Sequence, residues 1–253
     1  MEISNFQKTK ILATIGPASN SYSTLLNLVK AGVDAFRLNF SHGTHEDHLK
    51  VYENIKYINK KYKTTISILA DLQGPKLRVG EMENGKIPLK KGDILTFVNE
   101  ECLGTAEKVY MSYEQFAKDV KVGEKVLIDD GNVQLLVKES NGIDTVKLEV
   151  LYGEYLASRK GVNLPQTTIS QPSLTEKDLA DLDFVLKHRF NWIALSFVRS
   201  ANDIHELRTI IKSKKHRAKI IAKIEKPEAI ENLDAIIEAS DGIMVARGDL
   251  GIE

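Results

Sequence analysis

Short apolar runs of strand character alternate with helix-forming segments along most of this chain, and most of the runs end in polar or charged residues. That rhythm demands a parallel sheet, because strands pointing the same way need crossover connections, and helical crossovers bury both sheet faces. Residues 10–15 form the first run. They lead into Gly16-Pro17-Ala18-Ser19, where Ser19 is placed to cap a helix carrying Leu25, Leu26, Leu28 and Val29. Gly32 closes that helix, and residues 33–40 alternate, with Phe36, Leu38 and Phe40 on one face and Arg37 and Asn39 on the other. Ser41 continues the polar row. Thr44 and Asp47 form a capping-box pattern for a helix through Leu49, Tyr52, Ile55 and Ile58, and a third strand over residues 65–70 ends at Asp71.

From Gly74 to about Pro165 the texture changes to short strand-like runs separated by Asn84-Gly85, Lys91-Gly92-Asp93, Asp129-Asp130-Gly131-Asn132 and Asn141-Gly142, which read as hairpin turns. The β/α rhythm then resumes. Residues 173–176 cap a helix to Lys187, residues 192–195 are a strand, 203–211 a helix and 219–223 a strand. A helix through Ile230, Leu233, Ile236 and Ile237 and a strand at 243–246 follow, so about six βα steps surround a β-rich insertion. Arg37, Asn39, Ser41, Asp71, Gln73, Ser196, Lys223, Glu225 and Asp249 all fall at or just beyond C-terminal strand ends. An open doubly wound sheet binds ligands at that edge, but convergence from so many strands favours a (β/α)₈-type barrel.

Lys plus Arg and Asp plus Glu both total 35, which argues against nucleic acid or a membrane surface as the main partner. A single cysteine, Cys102, forms no internal disulfide, and Met1-Glu2-Ile3-Ser4-Asn5 lacks the apolar core of a secretory signal, so a cytoplasmic location is expected. In a strand Lys223 and Glu225 share a face, as do Arg247 and Asp249 if extension persists that far. A cation beside two carboxylates suits a divalent metal and an anionic substrate. The same Lys223 and Glu225 also read as a salt bridge filling a barrel mouth, and Asn39, Ser41 and Asp71 as groups that satisfy loop backbone. Gly80 to Ile87 nearly matches a phosphate-binding loop, but Ile87 replaces the required hydroxyl, so a hairpin turn is expected. His42, His45 and His48 read as exposed residues at a helix start, and Lys56, Lys60, Lys61 and Lys63 as a solvated helix face.

Four segments carry a resemblance: residues 9–19, Phe36-Arg37-Leu38-Asn39-Phe40-Ser41-His42-Gly43, Lys160-Gly161-Val162-Asn163-Leu164-Pro165, and residues 245–253. In order and content they resemble the signatures of pyruvate kinases. The resemblance implies a TIM barrel in two parts, 1–73 and 165–253, interrupted after its third strand by a β-rich lid domain at 74–164. It implies phosphoryl transfer between phosphoenolpyruvate and ADP to give pyruvate and ATP, in a homo-oligomer when full length. By the same resemblance Glu225 and Asp249 would hold Mg²⁺ or Mn²⁺, Lys223 would neutralise the transferring group and the enolate oxygen, and Arg37 would clamp phosphate. His42, Arg78 and Lys160 would face the nucleotide, and Phe197 and the backbone at Gly248 would border the keto-acid pocket.

Two departures stand out. Many members of that family hold K⁺ with groups equivalent to Asn39, Ser41, Asp71 and the Leu72 carbonyl, and carry Thr-Lys-Gly-Pro-Glu after the aspartate. Here the segment is Leu72-Gln73-Gly74-Pro75-Lys76, so the Lys76 ammonium is expected to replace the ion and K⁺ to be dispensable. The chain also ends after about the sixth strand, so a fragment with weak or absent turnover is expected. A truncated binding protein and another metal-enolate barrel enzyme are the alternatives.

Overall fold

A computed structural model describes residues 8–252; residues 1–5, from which the absence of a signal was read, and Glu253 lie outside them. In chain order the first part contains β1 (Leu12–Ile15), α1 (Tyr22–Lys30), β2 (Ala35–Asn39), α2 (His45–Tyr62) and β3 (Ser67–Asp71). The middle contains β4 (Lys86–Pro88), β5 (Ile94–Val98), β6 (Lys108–Tyr110), α3 (Phe116–Asp119), β7 (Lys125–Ile128), β8 (Val133–Ser140), β9 (Thr145–Tyr152), β10 (Tyr155–Ala157) and β11 (Val162–Asn163). Then come α4 (Glu176–Lys187), β12 (Trp192–Leu195), α5 (Ala201–Ser213), β13 (Lys219–Ile224), α6 (Pro227–Glu231), α7 (Leu233–Ala239), β14 (Gly242–Val245) and α8 (Arg247–Leu250).

The chain divides into two compact units. One comprises Met1–Gly74, Ser173–Ile224 and Glu228–Val245; the other comprises Pro75–Pro172, Glu225–Pro227 and Ala246–Glu253. In the first unit six strands form one sheet in the order β1-β2-β3-β12-β13-β14, and every neighbouring pair is parallel. This is the α/β arrangement of an incomplete (β/α)₈-type barrel. Phe36, Ile68, Leu69, Ile193, Leu195 and Ile220 are at most 1% exposed, which shows that these strands are covered on both faces, as helical crossovers require. In the second unit β11-β7-β8-β9-β5-β6 form a sheet around Phe97, Val126, Leu135, Val137, Leu148 and Val150, while β4 pairs with β10.

Local chemistry explains most element ends. At α2 the Thr44 hydroxyl accepts from the Asp47 N–H while Asp47 accepts from the Thr44 N–H, and Thr175 and Asp178 repeat the device at α4. Gly32 follows α1 at φ 103°, a conformation that glycine adopts without strain. Several expectations are corrected. The N-cap of α1 is Ser21, not Ser19, because Ser19 closes its own turn with its hydroxyl 3.0 Å from the Gly16 N–H. Asn84-Gly85 lies in a 3₁₀ turn, and Lys91-Gly92-Asp93 joins strands of different sheets; neither is a hairpin. The single helix expected through Ile230 and Ile237 is two, parted at Asn232, whose amide N–H bonds the carbonyls of Glu228 and Arg199. Extension does not persist beyond β14: Arg247 and Asp249 lie in α8, so strand alternation does not set their directions.

Candidate active site

Arg37 lies on β2, directly beside Thr14 of β1 and Leu69 of β3, and two residues further Asn39 pairs with Asp71. Parallel register therefore carries Asp71 to the C-terminal end of the sheet, next to the guanidinium. Arg37 donates to Asp71 Oδ2 through Nε at 2.7 Å and lies 2.5 Å from it through Nη2, and its Nη1 donates to the Thr14 hydroxyl at 3.1 Å. From the other side Lys223, near the end of β13, brings its ammonium within 3.4 Å of Asp71 Oδ1. That contact lacks hydrogen-bond geometry, and Oδ1 is a fully buried oxygen with no hydrogen bond among the described residues. Lys223 Nζ also donates to the Ser196 hydroxyl at 2.7 Å, and that hydroxyl donates to the Leu72 carbonyl at 2.7 Å.

One carboxylate thus holds two cations drawn from different strands. Asp71 is 1% exposed and Lys223 8%, so both charges are desolvated and depend on one another. The Arg37 side chain is 27% exposed, and three of its five N–H donors are engaged, leaving two to meet an anion from solvent. Sequence reasoning placed Arg37, Asp71 and Lys223 at strand ends without linking them; it gave Ser196 no role and overlooked Thr14. The signal was present in the strand alternation, since Thr14 pairs with Arg37 once β1 and β2 are aligned.

The other expected residues are placed as follows. Asn39 Oδ1 accepts from the Ser41 N–H at 3.0 Å, an interaction that satisfies loop backbone. Lys76 is exposed and belongs to the second unit. Phe197, just beyond β12, adopts a left-handed φ of 53°, and a Cβ on Gly74 would come within 2.9 Å of its ring, so that turn admits only glycine at 74. His42 is exposed and lines a cavity of about 640 Å³ with Thr14, Pro17, Asn20, Asn39 and His48. In the second unit Arg78 donates to the Arg159 carbonyl at 2.9 Å, and Lys160 pairs with Asp129 at 2.8 Å, a contact that raises the lysine's pKa. Glu225, which follows β13, is 1% exposed; Asp249 is half-buried and Gly248 exposed in α8.

His42 is exposed as expected, but His45 and His48 are partly buried: His45 Nε2 lies 2.7 Å from Asp181, and His48 Nε2 lies 3.0 Å from the His42 carbonyl. Among the described residues no group of three or more His, Cys, Asp or Glu side chains is placed to cage a metal. Mg²⁺ needs no such cage, since it keeps several waters and takes one or two carboxylates plus substrate oxygens. Glu225 and Asp249 are hard oxygen donors of that kind.

A family model described as pyruvate kinase, barrel domain, matches residues 6–253. A pyruvate kinase of Geobacillus stearothermophilus is 46% identical over 254 residues, covering 98% of this chain and 42% of that protein. One from Staphylococcus aureus strain MRSA252 is 42% identical over 248 residues with the same coverage. The crystal structure of a pyruvate kinase from Cryptosporidium parvum superposes with a TM-score of 0.91 at 40% identity, over 97% of this chain and 52% of that one. The chain therefore spans less than half the length of the curated relatives cited here. Among the described residues no helix is long and apolar enough to cross a membrane.

Proposed function

The chain belongs to the pyruvate kinase family, and on that premise we propose that it forms part of an enzyme that transfers a phosphoryl group between phosphoenolpyruvate and ADP, yielding pyruvate and ATP. The observation that carries this reading is the linked set Arg37, Asp71, Lys223 and Ser196 at the C-terminal end of the sheet. Phosphoryl transfer requires positioned positive charge more than covalent participation by the protein. Asp71 fixes Arg37 so that its remaining donors present a planar fork to a phosphate. Ser196 and Asp71 hold the Lys223 ammonium where charge grows on the enolate oxygen as the phosphoryl group leaves. Both groups are locked before substrate arrives, so little reorganisation is left for the reaction itself.

Glu225 and Asp249 would hold Mg²⁺ or Mn²⁺, which when bound neutralises charge shared by the enolate and phosphoryl oxygens. His42, with the cavity it lines, and Arg78 and Lys160 would receive the nucleotide, and Phe197 and Gly248 would bound the small acid. Lys76 would supply the charge that K⁺ provides elsewhere in the family, so activity would persist with Na⁺ as the only alkali cation. Homo-oligomerisation and a cytoplasmic setting belong to the same proposal for the full-length protein.

The test is calorimetric titration of the 253-residue chain with phosphoenolpyruvate and Mg²⁺, beside a coupled assay of ADP-dependent ATP formation. We expect saturable phosphoenolpyruvate binding that weakens at least tenfold in Arg37→Met and Lys223→Met, with turnover weak or absent in this chain. Binding that is indifferent to both substitutions would reject the reading.

A further inference from the structure

Far from those strand ends, where β3, β12 and β13 begin, the barrel unit carries a second cavity, of about 760 Å³. Five cations line it: Lys56 from α2, Arg189 from the loop before β12, Lys215 and Arg217 from the loop before β13, and Lys219 at the first position of β13. Among the described residues no carboxylate lines it and none of the five is engaged in an ion pair. Lys214 and Lys187, close by in sequence, do pair, both with Asp183, so carboxylates in this region serve cations outside the cavity. We propose that this basin is a binding site for a small anion bearing two or more phosphate groups.

Helix polarity accounts for only part of the charge. Three helices, α2, α4 and α5, end ahead of β3, β12 and β13, and each end carries about −0.5 of an elementary charge that falls off within its last turn. Their sum, roughly −1.5, is well short of five unit cations, and Lys56 sits inside its helix while Lys219 sits in a strand. His216 braces the loop that presents Arg217: one ring nitrogen accepts from the Ala218 N–H at 3.0 Å and the other lies 2.8 Å from the His188 carbonyl. A concave surface of one sign concentrates the field and raises the local concentration of counter-ions. The volume lies in the range of small-molecule pockets, and the formal net charge of zero gives the chain no overall positive charge to draw a nucleic acid.

The chain has one tryptophan, Trp192, and it lines this cavity with the Lys219 ammonium 5.3 Å from its ring centroid. A phosphate that draws Lys219 off the ring will change the indole emission, so the site carries its own reporter. The experiment titrates the 253-residue chain with inorganic tripolyphosphate in Mg²⁺-free buffer at fixed ionic strength, read by tryptophan emission and independently by calorimetry. We expect saturation at micromolar concentration, orthophosphate at least tenfold weaker, and a loss of tenfold or more in R189Q/R217Q. Lys147→Gln, which removes a cation from β9, and Arg37→Met should leave that binding unchanged. Four results would overturn the proposal: no saturable signal by either method, unaltered affinity in R189Q/R217Q, loss in Arg37→Met instead, or a ten-residue oligothymidylate that binds more tightly than tripolyphosphate.

Discussion

His48 stacks on Phe40 at 4.2 Å between ring centroids, and burial there pushes its pKa below the ordinary histidine value of 6.5 despite the opposing bond to the His42 carbonyl. Below that value the unfolded chain takes up a proton that the folded chain resists. Stability therefore falls as pH drops from 6.5 toward the folded pKa, and the loss is complete below it. Urea melts across pH 7 to 5 should show this slope, and His48→Gln should flatten it; an unchanged slope would assign it to other groups. The residues of the candidate site were legible unequally. Arg37 and Lys223 announced themselves as charges at the ends of apolar runs, whereas the bond that makes them a unit runs through Asp71. That residue's pairing with Asn39 across β2 and β3 follows from register, which a linear pattern does not display.

Among the elements, α4 shows how a local motif acquires a distant duty. Asp178 accepts from the Thr175 N–H through Oδ2, and through Oδ1 it also receives the Gly74 N–H at 3.1 Å; the whole residue is 0% exposed. Thr175→Ala removes the hydroxyl that accepts from the Asp178 N–H and donates to Asp178 Oδ2, and should cost about 1 kcal/mol. Asp178→Ala leaves the Gly74 and Thr175 N–H groups without partners and should cost roughly 2–3 kcal/mol. Denaturant midpoints at constant slope are the measurement, and equal losses would show that the Gly74 contact contributes nothing. The capping box at Thr44 was readable because every participant lies within four residues; at α4 the reading fell on residues 173–176, whereas the cap is Thr175 with Asp178 and the Ser173 hydroxyl donates to Asp203 instead. Ser21 was missed because Ser19, two positions earlier, has the same cap chemistry, and only the chain's path into Gly16 separates them. The bond from Gly74 to Asp178 joins positions 104 apart and left no trace in local spacing.

At the scale of the whole molecule, β1 and β14 stand at the two ends of the strand order, with Leu12 41%, Ile243 41% and Val245 55% exposed. Apolar edge strands template pairing with other chains, so the 253-residue chain should self-associate as its concentration rises. Val245→Lys should shift sedimentation velocity profiles toward monomer, and a wild-type chain that stays monomeric throughout would contradict this. The β/α rhythm was the most legible property of all, since six strands and their helices recur with a period that burial on both faces imposes. The pairing of β4 with β10 was not legible, because two three-residue strands far apart carry too little pattern. One consequence follows from β12 lying directly beside β3 although the whole β-rich segment is threaded between them. Closing a loop costs only about 0.6 kcal/mol more for each doubling of its length. To the strands on either side, that segment is a long detour with a small thermodynamic toll, and a short turn spliced in its place should leave them as neighbours.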